Sequence, residues 1–158
     1  MLPDDVRRDL EAWRSEGLRI VFTNGVFDLL HPGHVEYLEE ARALGDKLVV
    51  GINTDASVRR LKGEGRPIVT ESERAELLVA LESVDRVVVF DEDTPERLIR
   101  DVRPDVLVKG ADWALDDIVG RDFVESTGGR VERIRVREGL SSSILIERIL
   151  SGKSALDR

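Results

Sequence analysis

Four stretches of this chain are almost continuously apolar: "RIVFT" (19–23), "KLVVGI" (47–52), "RVVVF" (86–90) and "DVLVK" (105–109). Short apolar runs without alternation predict strands buried on both faces of a parallel sheet. A fifth run, "VERIRV" (131–136), alternates, as an edge strand can. Between the runs the apolar positions recur at helical spacing. Residues 3–16 put Val6, Leu10 and Trp13 on one face. Residues 32–44 form the clearest helix, with Pro32 in the first turn, Val35, Leu38 and Ala41 as its stripe, and Gly45 as its stop. Thr70 and Glu73 make a capping box ahead of Ala75, Leu77, Leu78 and Leu81. Thr94-Pro95 opens another helix with Leu98 and Val102 inward, and a further helix lies within 115–126. Ser141 to Ser143 open the last, which carries Ile144, Leu145, Ile149 and Leu150.

Strand alternating with helix predicts an α/β fold, a doubly wound parallel sheet of about five strands in a single domain. Its expected divisions are an N-terminal helix at 3–16, a core at 18–150 and a frayed tail at 151–158. Ligands of such sheets bind beyond the carboxyl ends of the strands. The segments that matter most therefore run from Asn24 to Gly33, Asn53 to Arg66, Asp91 to Thr94, Gly110 to Trp113 and Arg137 to Ser143.

Composition narrows the partners. The 158 residues carry a formal charge of −8, a poor match to nucleic acid or an anionic membrane. No apolar run approaches the roughly 18 residues of a membrane span. The start "MLPDDVRRDLEAW" lacks the pattern of a signal peptide. With no cysteine there is no disulfide and no thiolate metal site, and the expectation is a cytoplasmic protein. An anionic ligand must be met by local positive charge, and "RRLKGEGR" (59–66) supplies it with four cations and one anion.

The only two histidines, His31 and His34, sit three apart in "HPGH" immediately after the first strand. With Pro32 at the first helical position, His31 falls at the cap and His34 in the first turn, so both imidazoles can face one ligand. Free N–H groups and the helix dipole make that end an anion site, and an anion there would favour the protonated rings. Gly25 and Gly33 would let a phosphate approach the backbone. On residue physics alone a metal site completed by carboxylates, and a pair of structurally satisfied histidines, stay open beside the phosphate site.

The extended string "GVFDLLHPGH" resembles the HxGH signature of the nucleotidyltransferase superfamily, which includes the cytidylyltransferases. "GINTDASVRRLKGEGRPI", "ALESVDRVVVFDEDTPERLI", "PDVLVKGADW" and "STGGRV" together resemble the bacterial heptose 1-phosphate adenylyltransferases, over about residues 18 to 150. That resemblance implies a Rossmann-like fold and transfer of AMP from ATP to a sugar 1-phosphate, with release of pyrophosphate. The family also contains enzymes fused to a sugar kinase, and this chain resembles the stand-alone form. Val26 replaces the cysteine usual in "NGCFD", and Ser141-Ser142-Ser143 replaces the family's "STT", which bears on the base pocket.

By the same resemblance His31, His34 and Lys62 serve the transition state, with Lys62 flexing on Gly63 and Gly65. Thr23, Asn24, Gly25, Phe27, Gly33, Arg74, Lys109, Gly110, Asp112 and Ser141 to Ser143 are the implied nucleotide- and phosphate-binding positions. Asp28 is expected to brace its loop by accepting N–H bonds, and Trp113 to pack in the core. Mg2+ is expected with the nucleotide, held by phosphate oxygens and water rather than by protein ligands. A homodimer is implied, with Trp13 a candidate contact. "GEGRPI" only half-matches a dinucleotide fingerprint and follows a helix, and no P-loop string occurs. The competing functions are CMP transfer to glycerol 3-phosphate or another small phosphorylated alcohol, and a nucleotide-binding regulatory domain without turnover.

Overall fold

The computed structural model describes residues 1–157. Five strands form one sheet: β1 (Ile20–Gly25), β2 (Lys47–Asn53), β3 (Arg86–Phe90), β4 (Val106–Gly110) and β5 (Arg130–Ile134). Their order is β3-β2-β1-β4-β5, and every neighbouring pair is parallel. The chain winds outward from β1 to β3, then returns to the other side of β1 for β4. The reversal of strand order thus falls between β1 and β4, where a crevice opens at the carboxyl ends.

Burial on both faces explains the unbroken apolar runs. In β1, Ile20 and Phe22 join one core cluster while Val21 joins the other. The first cluster lies under α1 (Asp4–Ser15), α5 (Glu96–Val102) and α6 (Arg121–Ser126), which contribute Val6, Leu10, Ile99 and Val124. The second lies under α2 (Pro32–Arg42) and α4 (Glu71–Val79), which contribute Leu38, Ala41 and Leu78. Trp13 is half-buried against its own core, with Lys47 Nζ 5.4 Å from its ring centroid.

The helix signals hold at Thr70, whose side chain accepts from the Glu73 N–H while Glu73 reaches back to the Thr70 N–H. The helix expected ahead of "GEGRPI" is α3 (Asp55–Lys62), which starts from Thr54, whose hydroxyl accepts from Ser57 N at 3.1 Å. Two segments differ from expectation. The helix expected within 115–126 is broken into a single 3-10 turn, Leu115–Asp117, and α6, because Gly120 takes φ 87 between them. The last helix, α7 (Ser142–Ser151), runs into the expected tail and stops at Gly152 (φ 67); Arg158, the final tail residue, lies outside the described residues. Among the described residues no helix is long and apolar enough to cross a membrane.

Candidate active site

A cavity of about 350 Å³ opens at the strand-order reversal. The end of β1 contributes Asn24 and Gly25, the loop after it Phe27 and His31, and α2 adds Gly33, His34 and Tyr37. Lys62 comes from the end of α3, Lys109 and Gly110 from the end of β4, and Ser141 to Ser143 from the start of α7. Two helix N-termini therefore meet in one wall, each offering free N–H groups and positive dipole ends.

The histidines hold each other. His31 caps α2, its Nδ1 accepting from Gly33 N at 3.1 Å, and His34 Nδ1 accepts from His31 N at 3.3 Å. The rings stack with centroids 3.8 Å apart, and Phe27 closes on His34 at 5.4 Å. A ring nitrogen that accepts carries no proton, so each neutral ring bears its hydrogen on Nε2. Burial lowers both pKa values. For His34 the value falls to about 4, through burial first and then the neighbouring His31, against a smaller upward pull from Asp28. Both rings are therefore neutral donors at pH 7, because protonation would place hydrogens where two backbone N–H groups already point. At Gly33, which lines the cavity, a Cβ would meet His31 Cε1 at 2.9 Å, so the missing side chain also makes room for the imidazole. At Gly25 the Phe27 ring takes the same space, at 2.9 Å.

Asp28 braces the loop as expected. It is 2% exposed, and its oxygens accept from Ile68 N at 2.8 Å and Val69 N at 2.9 Å. Phe27 (φ 53) and Leu29 (φ 50) flank it in the left-handed region, a strain of about 1–2 kcal/mol each that these anchors hold in place. The Ser142 hydroxyl donates to Asp28 O, which ties the start of α7 to the same loop.

Three expected ligand residues do not reach the cavity. Arg74 is wholly buried, and its guanidinium donates to Val69 O, Val26 O, Asn53 O and the Asp55 carboxylate at 2.7–3.0 Å. With those donors spent on carbonyls and one carboxylate, it pins α4 to the loops rather than facing a phosphate. Thr23 is fully buried, and its hydroxyl donates to Val108 O at 3.0 Å. Asp112 is exposed beside Gly110 and does not line the cavity.

Lys109 does line it. Burial lowers its pKa to about 8, opposed by Asp112, and its Nζ lies 5.6 Å from the Trp113 ring. Trp113 is not in the core: it is 48% exposed and forms part of the cavity wall, and of a second cavity of about 280 Å³ shared with Asn24 and Lys109.

Two polar lining residues, Tyr37 and Arg66, were missed. Tyr37 sits one turn beyond His34 on the same helix face, a spacing that was available in the sequence. Thr23 Oγ1 gives its one proton to Val108 O, so the Tyr37 hydroxyl, 2.8 Å away, donates to Thr23 and keeps its lone pairs for the cavity. Arg66 closes the cavity beside Asp28, its Nε 3.5 Å from Oδ2. The basic run 59–66 pointed to this place but not to that residue. Among the described residues no group of three or more His, Asp or Glu is placed to hold a metal ion.

A parallel sheet whose first crossover helix is capped by two Nε2–H imidazoles, with lysines from α3 and β4 facing them, is the scaffold of a nucleotidyltransferase. The chain belongs to the cytidylyltransferase-like family, whose model matches residues 22–148. It is 61% identical over 137 residues to the bifunctional protein HldE of Citrifermentans bemidjiense, covering 87% of this chain and 28% of that protein. It is 58% identical over 149 residues to the HldE of Syntrophotalea carbinolica, covering 94% of this chain and 30% of that one. The chain thus spans less than a third of the length of these relatives. The crystal structure of a lipopolysaccharide core biosynthesis protein from Thermoplasma volcanium matches with TM-score 0.63 at 35% identity, over 77% of this chain and 98% of that one.

Proposed function

We propose that this domain transfers AMP from ATP to a sugar 1-phosphate, a heptose 1-phosphate, giving an ADP-sugar and pyrophosphate. The observation that carries the reaction type is the pair of imidazoles locked as Nε2–H donors at a helix N-terminus, facing Lys62 and Lys109 across one cavity. An acceptor phosphate oxygen attacks the α-phosphorus, the bond from that phosphorus to the bridging β-oxygen breaks, and pyrophosphate departs with the electron pair. The monoester's second pKa is about 6, so the attacking oxygen is already ionised at neutral pH and no general base is needed. Catalysis is then alignment plus neutralisation of charge growing on the α-phosphate and leaving group. Neutral Nε2–H groups suit that task, since they donate to developing charge without drawing a resting counter-ion.

Mg2+ enters with the nucleotide, bound by phosphate oxygens. The cavity wall does not offer it a protein cage, because its one carboxylate, Asp28, is occupied by the Ile68 and Val69 N–H groups. The choice of ATP and heptose rests on the "LKGEGRP" and "VKGADW" strings and on similarity to the HldE proteins, with the lipopolysaccharide-linked structure in agreement. The test is pyrophosphate release by purified protein with a panel of nucleoside triphosphates and sugar phosphates. Turnover with CTP and glycerol 3-phosphate, and none with ATP and heptose 1-phosphate, would replace the substrate assignment. Nucleotide binding without release under any pairing would reduce the domain to a binding module.

A further inference from the structure

Two buried side-chain atoms among the described residues lack a hydrogen-bond partner, Asn24 Oδ1 and Arg66 Nε. Buried orphans are rare because each keeps the cost of leaving water without repayment, so two in one cavity wall call for a cause. The case at Arg66 is the more demanding. Its side chain is 19% exposed, and Nε lies 3.5 Å from Asp28 Oδ2, too far for a good hydrogen bond. Asp28 cannot close that gap cheaply, since Oδ2 already accepts from Ile68 N and Oδ1 from Val69 N. The carboxylate balances the charge of Arg66 but leaves its donors unused. A guanidinium has five N–H groups in a planar fork shaped for an oxyanion.

Resting on the nucleotidyl-transfer function above, we infer that Arg66 binds a phosphate group of the ligand in this cavity, a role that sequence reasoning had given to Arg74. The backbone supports the assignment. Ile68 and Val69, just after Arg66, are fixed by Asp28, while Gly63 (φ 92) and Gly65 (φ 87) lie between Arg66 and Lys62. Arg66 is therefore the anchored end of a glycine-hinged loop whose other end is Lys62. A phosphate on the Arg66 fork would sit where Lys62 can close over it. That phosphate belongs either to the nucleotide's leaving end or to the acceptor.

Calorimetric titration of the wild type, Arg66→Gln and Arg66→Lys with pyrophosphate and, separately, with mannose 1-phosphate distinguishes the sources. The expected result is a loss of roughly 10- to 100-fold in affinity for one of these ligands in Arg66→Gln. Arg66→Lys should recover part of it, because the charge remains but the fork does not. The arm that weakens identifies the phosphate. Arg66→Lys keeps a cation beside Asp28, so it remains informative if Arg66→Gln folds poorly. Unchanged affinity, in both variants, for every ligand that the wild type binds would overturn the inference and leave Arg66 as a counter-charge for Asp28. If the wild type binds neither ligand, the nucleotidyl-transfer function itself fails.

Discussion

The backbone N–H of His31 donates to Nδ1 of His34 at 3.3 Å, while the two rings stack at 3.8 Å. One interaction thus ends a helix and chooses a tautomer. The pair couples fold to chemistry in a way that makes its parts separable. His34→Asn can keep an acceptor near the Nδ1 position while removing the Nε2 donor. Its melting temperature should stay close to wild type and its kcat should fall about 100-fold, with ATP affinity changing much less. His34→Ala should lose the same activity and about 1 kcal/mol of stability in addition, the usual cost of a lost cap. Steady-state pyrophosphate release beside thermal melts separates the two. Equal stability in both variants would remove the capping role.

The depressed His34 pKa has a consequence for acid stability. The folded state favours the neutral ring, so its contribution is complete above the ordinary value of 6.5 and is lost as pH falls from 6.5 toward about 4. Melting temperature followed over that window should decline in the wild type, and the part due to this ring should be absent in His34→Asn. Identical slopes for the two proteins would mean that the histidine does not titrate as its surroundings require.

Lys109 works in the opposite direction. Its amine is charged at pH 7 and loses its proton as pH rises through about 8 in the free enzyme. The alkaline limb of kcat/KM, which reports the free enzyme, should fall near that pH. Lys109→Arg should carry the charge past pH 10, and if it retains activity the limb should move up. A limb unchanged in Lys109→Arg would assign it to another group.

Arg74→Ala should behave as a structural lesion. It removes the donors that satisfy three carbonyls and leaves the Asp55 carboxylate unpaired, a loss of about 3–5 kcal/mol measured by urea denaturation. Nucleotide affinity of the fraction that stays folded should be close to wild type. Full stability with weakened ATP binding would return Arg74 to the phosphate site.

Lys62→Ala should leave the urea midpoint unchanged, since Lys62 is exposed at the end of α3 and followed by Gly63 at φ 92. Its kcat should fall by about 100- to 1000-fold, as for loss of one charged contact in the transition state. Normal turnover would return the basic run to an ordinary solvated helix end.

The sheet was legible because its strands are buried on both faces, which leaves an unbroken apolar run for each, and the capping box at Thr70 and Glu73 was legible because all its parts are local. The histidine pair could be placed on the same ground, its geometry being set within four residues. The helix α3 was legible only as a helix ahead of "GEGRPI" without bounds, because only Ser57 and Val58 of its eight residues are buried, too thin a stripe to fix its start. Arg74 and Arg66 were exchanged for a related reason. Nothing near either residue in sequence says that Arg74 turns inward to Val26, Asn53 and Asp55, or that Arg66 lies against Asp28. Trp113 was assigned to the core by residue type, but it caps a cavity that exists only once β1 and β4 are side by side.

That adjacency has a cost during synthesis. The Ile20 N–H donates to the Asp105 carboxylate, 85 residues later, and Val21 pairs with Val106 in the middle of the sheet. As the chain leaves the ribosome, one edge of β1 stays unpaired until the greater part of the domain has been made. Closing so large a loop is entropically slow, and an open apolar edge is what self-association exploits. The strand that leads into the candidate active-site loop is thus also exposed to aggregation before the fold completes, and a ribosome stall ahead of β4 would leave a nascent chain whose cavity is unfinished and whose sheet edge is adhesive.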